Sequence, residues 1–597
     1  MKAFKYFFLS SIFLGFLASC GGSNDDNDDE DVDPNILTKV EGGKYQGGVL
    51  RLNSIEDYTS LFPAGNSDVY SNHIATNAYE GLFRFNQETM ETQPNLAESF
   101  EIDQSKTVYT FNIRKGVKFH DDECFADGEG REVTAKDFKY CYEYIASTEE
   151  HNKWSSFFSG VIKGVDAYQS GKAKEVTGIK VKDNYTLEIT LENPLAAFTS
   201  MLALLATAVY PEEAVDKYGY DGLKDHMVGT GPFIATEIEN GKIVKFKRNK
   251  NYWRKDEFGN QLPFLSQIHI SFIKDKKEEL DMFKKEELDM VWGIPVEEIP
   301  NIMGTLDEAR EGMNREFEVQ SVNALNIQYY GFKFTSEVFG DINVRKAFNL
   351  AVDRDSLVNY VLDGEGVAAH NGFVPPMKNY PYESVKGFDY NPKQAKSLMA
   401  KAGYPGGKGF PNITLNITTN GGLNTKIAEF ITAQLKDNLG VNISISPMAM
   451  NELYPKVEAH EVDFWRFGWI ADYPDPATFL HLFHSSNFGA DGNYFSYNSE
   501  EFDGYYEAAL KEIDVEKRNA LYAQADQTII NDAVVMPLMF TTSIRLINPQ
   551  IKDFYINEME YRDLSAVYMR EKIEKNVRNY DNLGGEEDTG FIEEDSE

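Results

Sequence analysis

Cysteine is nearly absent from this chain: 597 residues carry three, Cys20, Cys124 and Cys141. No Cys-x-x-Cys pair exists, which excludes a zinc ribbon and a dithiol redox centre, and at most one disulfide, between Cys124 and Cys141, is left for an oxidising compartment. Positive charge is also scarce. Lys and Arg number 59 against 95 Asp and Glu, a net charge of −36 that repels phosphate backbones and anionic headgroups, so nucleic acid is not an expected partner. Beyond the N-terminus no apolar run reaches the roughly 20 residues of a membrane-spanning helix. The nearest, from Pro194 to Tyr210, is interrupted by Thr199, Ser200 and Thr207 and reads as a buried helix between lobes. Catalytic signatures are missing as well: no Gly-x-Ser-x-Gly elbow, no phosphate loop ending Gly-Lys-Ser/Thr and no His-Glu-x-x-His helix. Gly229-Thr230-Gly231-Pro232 does not replace them, because Pro232 interrupts the helix start a dinucleotide loop needs and the third Gly is absent.

What is present begins with an address. Lys2 and Lys5 precede an apolar run from Phe7 to Leu17, too short for a permanent span, that ends in Leu17-Ala18-Ser19-Cys20. Small residues before a Cys are the pattern of a bacterial lipoprotein signal, so residues 1–19 are expected to be removed and Cys20 to carry lipid. Residues 20–40 follow with a dense acidic run (Asp25, Asp26, Asp28, Asp29, Glu30, Asp31, Asp33) that should act as a self-repelling tether. By composition it also resembles the surface-export signals of some Gram-negative lipoproteins. The expected location is the cell envelope, lipid-anchored and facing the periplasm or the cell surface.

The remaining body exceeds 500 residues, too many for one hydrophobic core, so at least two domains or lobes are required. Tyr109, Phe111 and Ile113 alternate, then Val117 and Phe119 after Lys115-Gly116, which predicts a two-stranded hairpin. Thr134 with Asp137 three residues on caps a helix that puts Phe138, Cys141, Tyr142 and Ile145 on one face. A second helix from Asn343 turns Val344, Ala347, Phe348 and Ala351 inward. Ile413, Leu415 and Ile417 alternate, a helix follows with Ile427, Phe430, Ile431 and Leu435 on one side, Gly440 ends it, and Val441, Ile443 and Ile445 alternate again. This is a β-α-β unit, and it makes the second half an α/β lobe with parallel strands. The acidic residues 586–597 are expected to form a disordered tail.

Chemistry concentrates in Asp463-Phe-Trp-Arg-Phe-Gly-Trp-Ile-Ala-Asp-Tyr-Pro-Asp-Pro-Ala-Thr-Phe479. Asp472, flanked by Trp465, Trp469 and Tyr473, can hold an ammonium by charge-assisted hydrogen bonds and cation–π attraction. Taken alone, however, an Asp before a Pro-rich turn is usually a turn or cap residue. His481 and His484, three apart, lack a nearby third ligand and read as packed or solvated side chains, not a metal site.

Eight short stretches then share one resemblance. They are Asn77-Ala-Tyr-Glu-Gly-Leu-Phe83; Pro94-Asn-Leu-Ala-Glu-Ser-Phe100; Tyr109 to His120; Val133-Thr-Ala-Lys-Asp-Phe138; Gly229-Thr-Gly-Pro-Phe233 with Asn251-Tyr-Trp253; Glu286-Glu-Leu-Asp289; Val344 to Arg354; and Gly468-Trp-Ile-Ala-Asp-Tyr473. In this order, from about Gly43 to Ala566, the chain resembles the oligopeptide- and dipeptide-type solute-binding proteins of ABC transporters, extracellular solute-binding family 5. It departs at Leu61-Phe62-Pro63, at an insertion from Glu123 to Arg131 and at another from Arg254 to Pro263.

The resemblance implies an α/β fold: a two-lobed, periplasmic-binding-protein-like clamp with an additional subdomain inserted in the first lobe. The expected division is lobe I at 41–83 and 209–321, the insert at 84–208, lobe II at 322–536 and a return to lobe I at 537–585. Asp472 then meets the α-ammonium of a bound peptide, with Trp469 and Tyr473 beside it. Arg466 meets the carboxylate of a short peptide, and Ser67, Asp68 and Val69 lend backbone hydrogen bonds. Partners are a peptide, the ABC permease and ATPase subunits, and the membrane through the lipid; the protein is expected to be a monomer with no cofactor, no metal and no catalytic residue. The same scaffold serves oligosaccharide, nickel and haem binders, and a surface-attached hydrolase is a further alternative lacking a recognisable nucleophile.

Overall fold

The computed structural model describes residues 33–294, 317–362, 364–418, 422–487 and 492–572. Cys20, most of the acidic tether and the acidic tail lie outside the described residues. No helix among the described residues is long and apolar enough to cross a membrane.

The first lobe is built on a four-stranded sheet in the order Phe233–Glu239, Ile243–Arg248, Gln267–Phe272, Val49–Ser54, the last pair parallel and the others antiparallel. The insert contributes a second four-stranded sheet, Ala97–Ile102, Val108–Ile113, Thr186–Thr190 and Ile179–Asp183. The helix Ala135–Ile145 packs beside it, capped as expected: Asp137 Oδ2 accepts from Thr134 N at 2.7 Å. Leu50, Phe246 and Ile268 of the first sheet belong to one continuous core with Phe111, Phe138 and Leu187 of the insert. The insert therefore buries no core of its own. Cys124 and Cys141 are both free thiols, with Cys141 fully buried.

Two expectations for this region need correction. Val108–Ile113 does not form a hairpin with Val117 and Phe119; it is a central strand paired with Ala97–Ile102 on one edge and Thr186–Thr190 on the other. The 117–119 stretch makes only an isolated bridge, Lys118 to Glu132. Alternation marks a strand without naming its partners, and here they are the strand just before it and one more than seventy residues on. The run from Pro194 to Tyr210 is buried but is not one helix. It is a short helix, Phe198–Met201, and a 3-10 turn, Leu205–Thr207, where the Thr207 hydroxyl donates to Leu204 O at 2.8 Å and competes with helix continuation.

The second lobe carries a six-stranded mixed sheet in the order Val367–Ala368, Val535–Phe540, Asn326–Phe332, Phe464–Ile470, Ile413–Thr418, Ile443–Met448. Its β-α-β unit runs as the periodicity predicts, with Leu423–Leu439 joining two parallel strands. The central strand feeds both faces: Ile327 and Tyr329 enter one core, Tyr330 and Phe332 the other. Gly331 faces Trp465 in register, and a Cβ there would fall 2.4 Å from the indole, so only Gly allows that ring to be fully buried.

Two connections pass between the lobes. Glu318–Asn323 and Thr542–Ile547 pair in a three-stranded sheet with Met290–Trp292 on the first-lobe side, and their continuations, Asn326–Phe332 and Val535–Phe540, enter the second-lobe sheet. The crossings are tied together, since Ala324 N donates to Thr541 O at 2.9 Å and Thr541 N donates to Asn326 Oδ1 at 3.0 Å. The strand ending at Phe540 pairs in the second-lobe sheet, and the next, from Thr542, pairs with Glu318–Asn323.

Candidate ligand-binding site

A cavity of about 330 Å³ opens between the lobes, within the size range of small-ligand pockets. First-lobe residues Asn66 to Val69, Glu80 and Arg254 line one side; Ile470, Ala471 and Asp472 of the second lobe line another; Glu560, Arg562 and Asp563 of the returning segment complete it. A second cavity of about 300 Å³ shares Val69, His73, Ile470, Met559, Glu560 and Arg562 with the first.

Asp472 follows the strand Phe464–Ile470, positioned where Ala471 N donates to Leu325 O at 2.9 Å. The turn that comes next is held by a different carboxylate. Asp475 Oδ1 accepts from Ala477 N at 3.0 Å, opening the short helix Ala477–Leu480, and Asp475 pairs with Arg518 at 3.4 Å. Asp472 is left with a single side-chain partner, the Thr478 hydroxyl, which donates to Oδ2 at 3.0 Å. No cation pairs with it among the described residues. The carboxylate faces the cleft volume, yet protein surrounds that volume so closely that desolvation pushes its pKa up to about 6, with Thr478 only partly offsetting the shift. Such a group gains from a cation delivered into the cleft.

Opposite it, Asn66 and Asp68 are extended, and Val69 begins the helix Val69–Ala75. Asp68 is its N-cap: Oδ1 accepts from Ser71 N at 2.8 Å and Oδ2 from the Ser71 hydroxyl at 2.6 Å. The Asp68 carboxylate is thus engaged within the protein, and Asn66 O is taken by Trp154 Nε1 at 2.6 Å. Ser67, exposed in the cleft, has no hydrogen-bond partner among the described residues. Its amide and carbonyl are among the main-chain groups this stretch leaves open.

Asp472, Ser67, Asp68 and Val69 therefore share one cavity, whereas Trp469, Arg466 and Tyr473 are not part of its wall. Trp469 packs against the second-lobe core with its ring 5.0 Å from His481. Burial drives His481 down to about 4, so it is a neutral packing residue, and no cluster of three metal-ligating side chains occurs among the described residues. Arg466 donates to Thr418 Oγ1 at 3.2 Å and to Gln328 Oε1; desolvation lowers its pKa and no carboxylate pairs with it among the described residues. Tyr473 packs on the first-lobe core, so its ring bridges the lobes.

Most of the other quoted stretches turn out to be staples of the fold. Glu80, buried in the cavity wall, accepts from Tyr252 Oη at 2.9 Å, Trp253 Nε1 at 3.1 Å, Thr230 Oγ1 at 2.9 Å and Asn95 Nδ2 at 3.2 Å. Burial raises its pKa, against the pull of Arg254 and these donors. Gly229 and Gly231 lie so close to Ala78 that a Cβ on either would come within 3 Å of its backbone. Asp289, fully buried, receives Arg51 Nε at 3.0 Å and Nη2 at 2.7 Å. Arg345 and Arg354 are buried and bind backbone carbonyls, Arg345 Nη2 to Asp532 O at 2.9 Å and Arg354 Nε to Pro537 O at 2.6 Å.

The returning segment was not legible in the sequence as part of the site. Asp563 joins Arg254 Nη1 at 3.0 Å and Arg84 Nη1 at 3.2 Å. Burial pushes the Asp563 carboxyl up, but the two guanidinium groups and Ser565 together hold it well below the usual range. Burial and the neighbouring Arg562 charge hold His73 well below the usual range, leaving it neutral, with Nε2 3.0 Å from Glu560 O.

Residues 91–491 match the sequence model of the bacterial extracellular solute-binding proteins, family 5, middle region. The dipeptide-binding protein DppE of Bacillus subtilis (strain 168) is 29% identical over 527 residues, covering 86% of this chain and 91% of DppE. The crystal structure of a periplasmic oligopeptide-binding protein of Borrelia burgdorferi superposes with a TM-score of 0.71 at 26% identity, covering 87% of this chain and 100% of that one. DppA of Helicobacter pylori, solved with the peptide STSA, gives a TM-score of 0.72 at 24% identity over 88% of this chain and 99% of that one. The neighbours are two-lobed periplasmic binding proteins, and the family consists of binding proteins, not enzymes. With its two tied crossings, its interlobe cleft and a family match spanning more than half its length, the chain belongs to the bacterial extracellular solute-binding proteins of family 5.

Proposed function

We propose that this protein is the substrate-binding component of an ABC importer, capturing peptides in the interlobe cleft and delivering them to a membrane permease while anchored through a lipid on Cys20. One observation carries the reading: Asp472 presents to the cleft a desolvated carboxylate with one hydroxyl partner and no counter-cation among the described residues. An α-ammonium supplies that charge, and the open main chain of Ser67 suits an extended peptide backbone. The peptide-binding relatives support the same reading. A sugar-binding alternative loses the rings it relied on, because Trp465 and Trp469 face the second-lobe core and Tyr473 packs between the lobes.

Calorimetry with a free and an N-acetylated peptide, on the wild type and Asp472→Asn, tests it. Both changes should weaken binding by the on-the-order-of 3–5 kcal/mol attached to breaking a buried ion pair, and together they should be non-additive. Losses under about fivefold for each would remove Asp472 from the site.

A further inference from the structure

Arg562 occupies the wall between the two cavities, its guanidinium 5.2 Å from the centroid of the Trp292 ring. Its Nε is buried without an acceptor, and no hydrogen bond or ion pair links the guanidinium to any described residue. Glu560, Glu279, Arg545 and His73 beside it are already engaged. Glu560 Oε1 accepts from Trp292 Nε1 at 2.9 Å and from Ser543 Oγ at 3.1 Å. Glu279 is held by Lys276 at 2.5 Å. Arg545 donates to Gln320 Oε1 at 2.6 Å and to Phe554 O, and His73 is turned to Glu560 O.

Arg562 is half-buried, with Nε enclosed and unpaired, and the planar fork of a guanidinium's donors fits a carboxylate in a two-pronged contact. Burial pushes Arg562 down to about 10, against Glu560 and Glu279, yet leaves it charged at neutral pH. Glu560 and Glu279 have other partners, and neither Asp472 nor Glu558, which line these cavities, pairs with Arg562, so its donors are open to a carboxylate arriving through the cleft.

We infer that Arg562 is a carboxylate-binding position of the cleft, selecting cargo that carries an anionic group in addition to the ammonium held by Asp472. This rests on the peptide reading of the site. The carboxylate is either an acidic side chain or the C-terminus of a short peptide, and the two share the same chemistry at the guanidinium. Arg562 was not singled out by the sequence, since it lies in a segment of short, irregular elements where no periodicity points.

Titration calorimetry on the purified full chain decides it with four probes: Ala-Glu-Ala, Ala-Gln-Ala and the C-terminal amide of each. The wild type is expected to prefer the carboxylate-bearing member of at least one matched pair by about tenfold or more, and the pair that responds tells side chain from terminus. Arg562→Met should bring that ratio to within about twofold, and Arg562→Lys should lower it part of the way, because an ammonium cannot form the two-pronged contact. The same ratio in wild type and Arg562→Met, both with unchanged circular dichroism, overturns the proposal; if the Met variant does not fold, an unaltered ratio in Arg562→Lys overturns it. If no peptide binds the wild type, the peptide reading fails separately, and succinate becomes the probe. A rise in the melting temperature of the wild type that Arg562→Met or Arg562→Lys lacks then supports the anion site, and equal shifts overturn it.

Discussion

Tyr252 donates its phenolic hydrogen to Glu80 Oε1 across 2.9 Å, joining positions 172 apart in the chain. The contacts of Glu80 gather three of the stretches by which the sequence resembles its family, residues 77–83, 94–100 and 229–233 with 251–253, around one buried carboxylate. Removing the acceptor strands several donors at once. Glu80→Ala should cost about 3–5 kcal/mol of stability, since breaking a buried charged network leaves its partners unpaired, while Tyr252→Phe should cost about 1 kcal/mol. Urea denaturation of both variants checks the ordering, and an equal, small loss would mean that Glu80 is not the hub.

Asp472 gives a pH signature to binding. Its ligand-free pKa of about 6 means that the carboxylate is ionised at pH 7 and takes up a proton as the pH falls through that value. Peptide affinity should be level above about pH 7 and drop toward tenfold per pH unit below 6, and Asp472→Asn should bind weakly without that slope. Calorimetry between pH 5 and 7.5 measures it.

The same residue should weaken the empty protein. A carboxyl raised from 3.8 to about 6 in the fold makes stability decline as the pH rises through that window, because the folded state holds the proton longer than the unfolded one. Ligand-free Asp472→Asn is therefore expected to melt above the wild type at pH 7 even though it binds poorly. A lower melting temperature would show that the charge is compensated in the empty cleft.

Asp563 should behave in the opposite sense. Its carboxyl is held well below the ordinary value by Arg254 and Arg84 despite burial, so its contribution is present at neutral pH and lost as the pH falls below about 4. Asp563→Asn is expected to lose about 3–5 kcal/mol at pH 7, leaving two guanidinium groups unpaired, and to show a smaller further loss in acid than the wild type. Denaturation at pH 7 and pH 3.5 compares them.

Much of this was readable from local patterns. The Thr134 and Asp137 cap, the helix from Asn343 and the β-α-β unit after Ile413 are all set by residues within a few positions of one another, where period and capping act directly. Asp472 could be singled out because aromatic residues and prolines frame it, and it lies in the wall of the cleft. The returning segment was not: between its two-residue strands, Ile551–Lys552 and Tyr568–Met569, its structure comes from contacts such as Arg254 with Asp563, 309 positions apart, which no local period encodes. Arg466 and Trp469 were found by their place in a family stretch, and that place is a sheet position whose side chains pack or bond inside the second lobe.

Within Asp-Tyr-Pro-Asp-Pro, labour is divided between two identical side chains. Asp475 holds the bend through Ala477 N and Arg518, so the loop has anchors apart from the single bond that the Asp472 carboxylate takes from Thr478. A single codon change at 472 can then exchange the charge offered to a guest without refolding the loop that carries it. The charge that this wall of the cleft displays can thereby change while the architecture around it stays fixed.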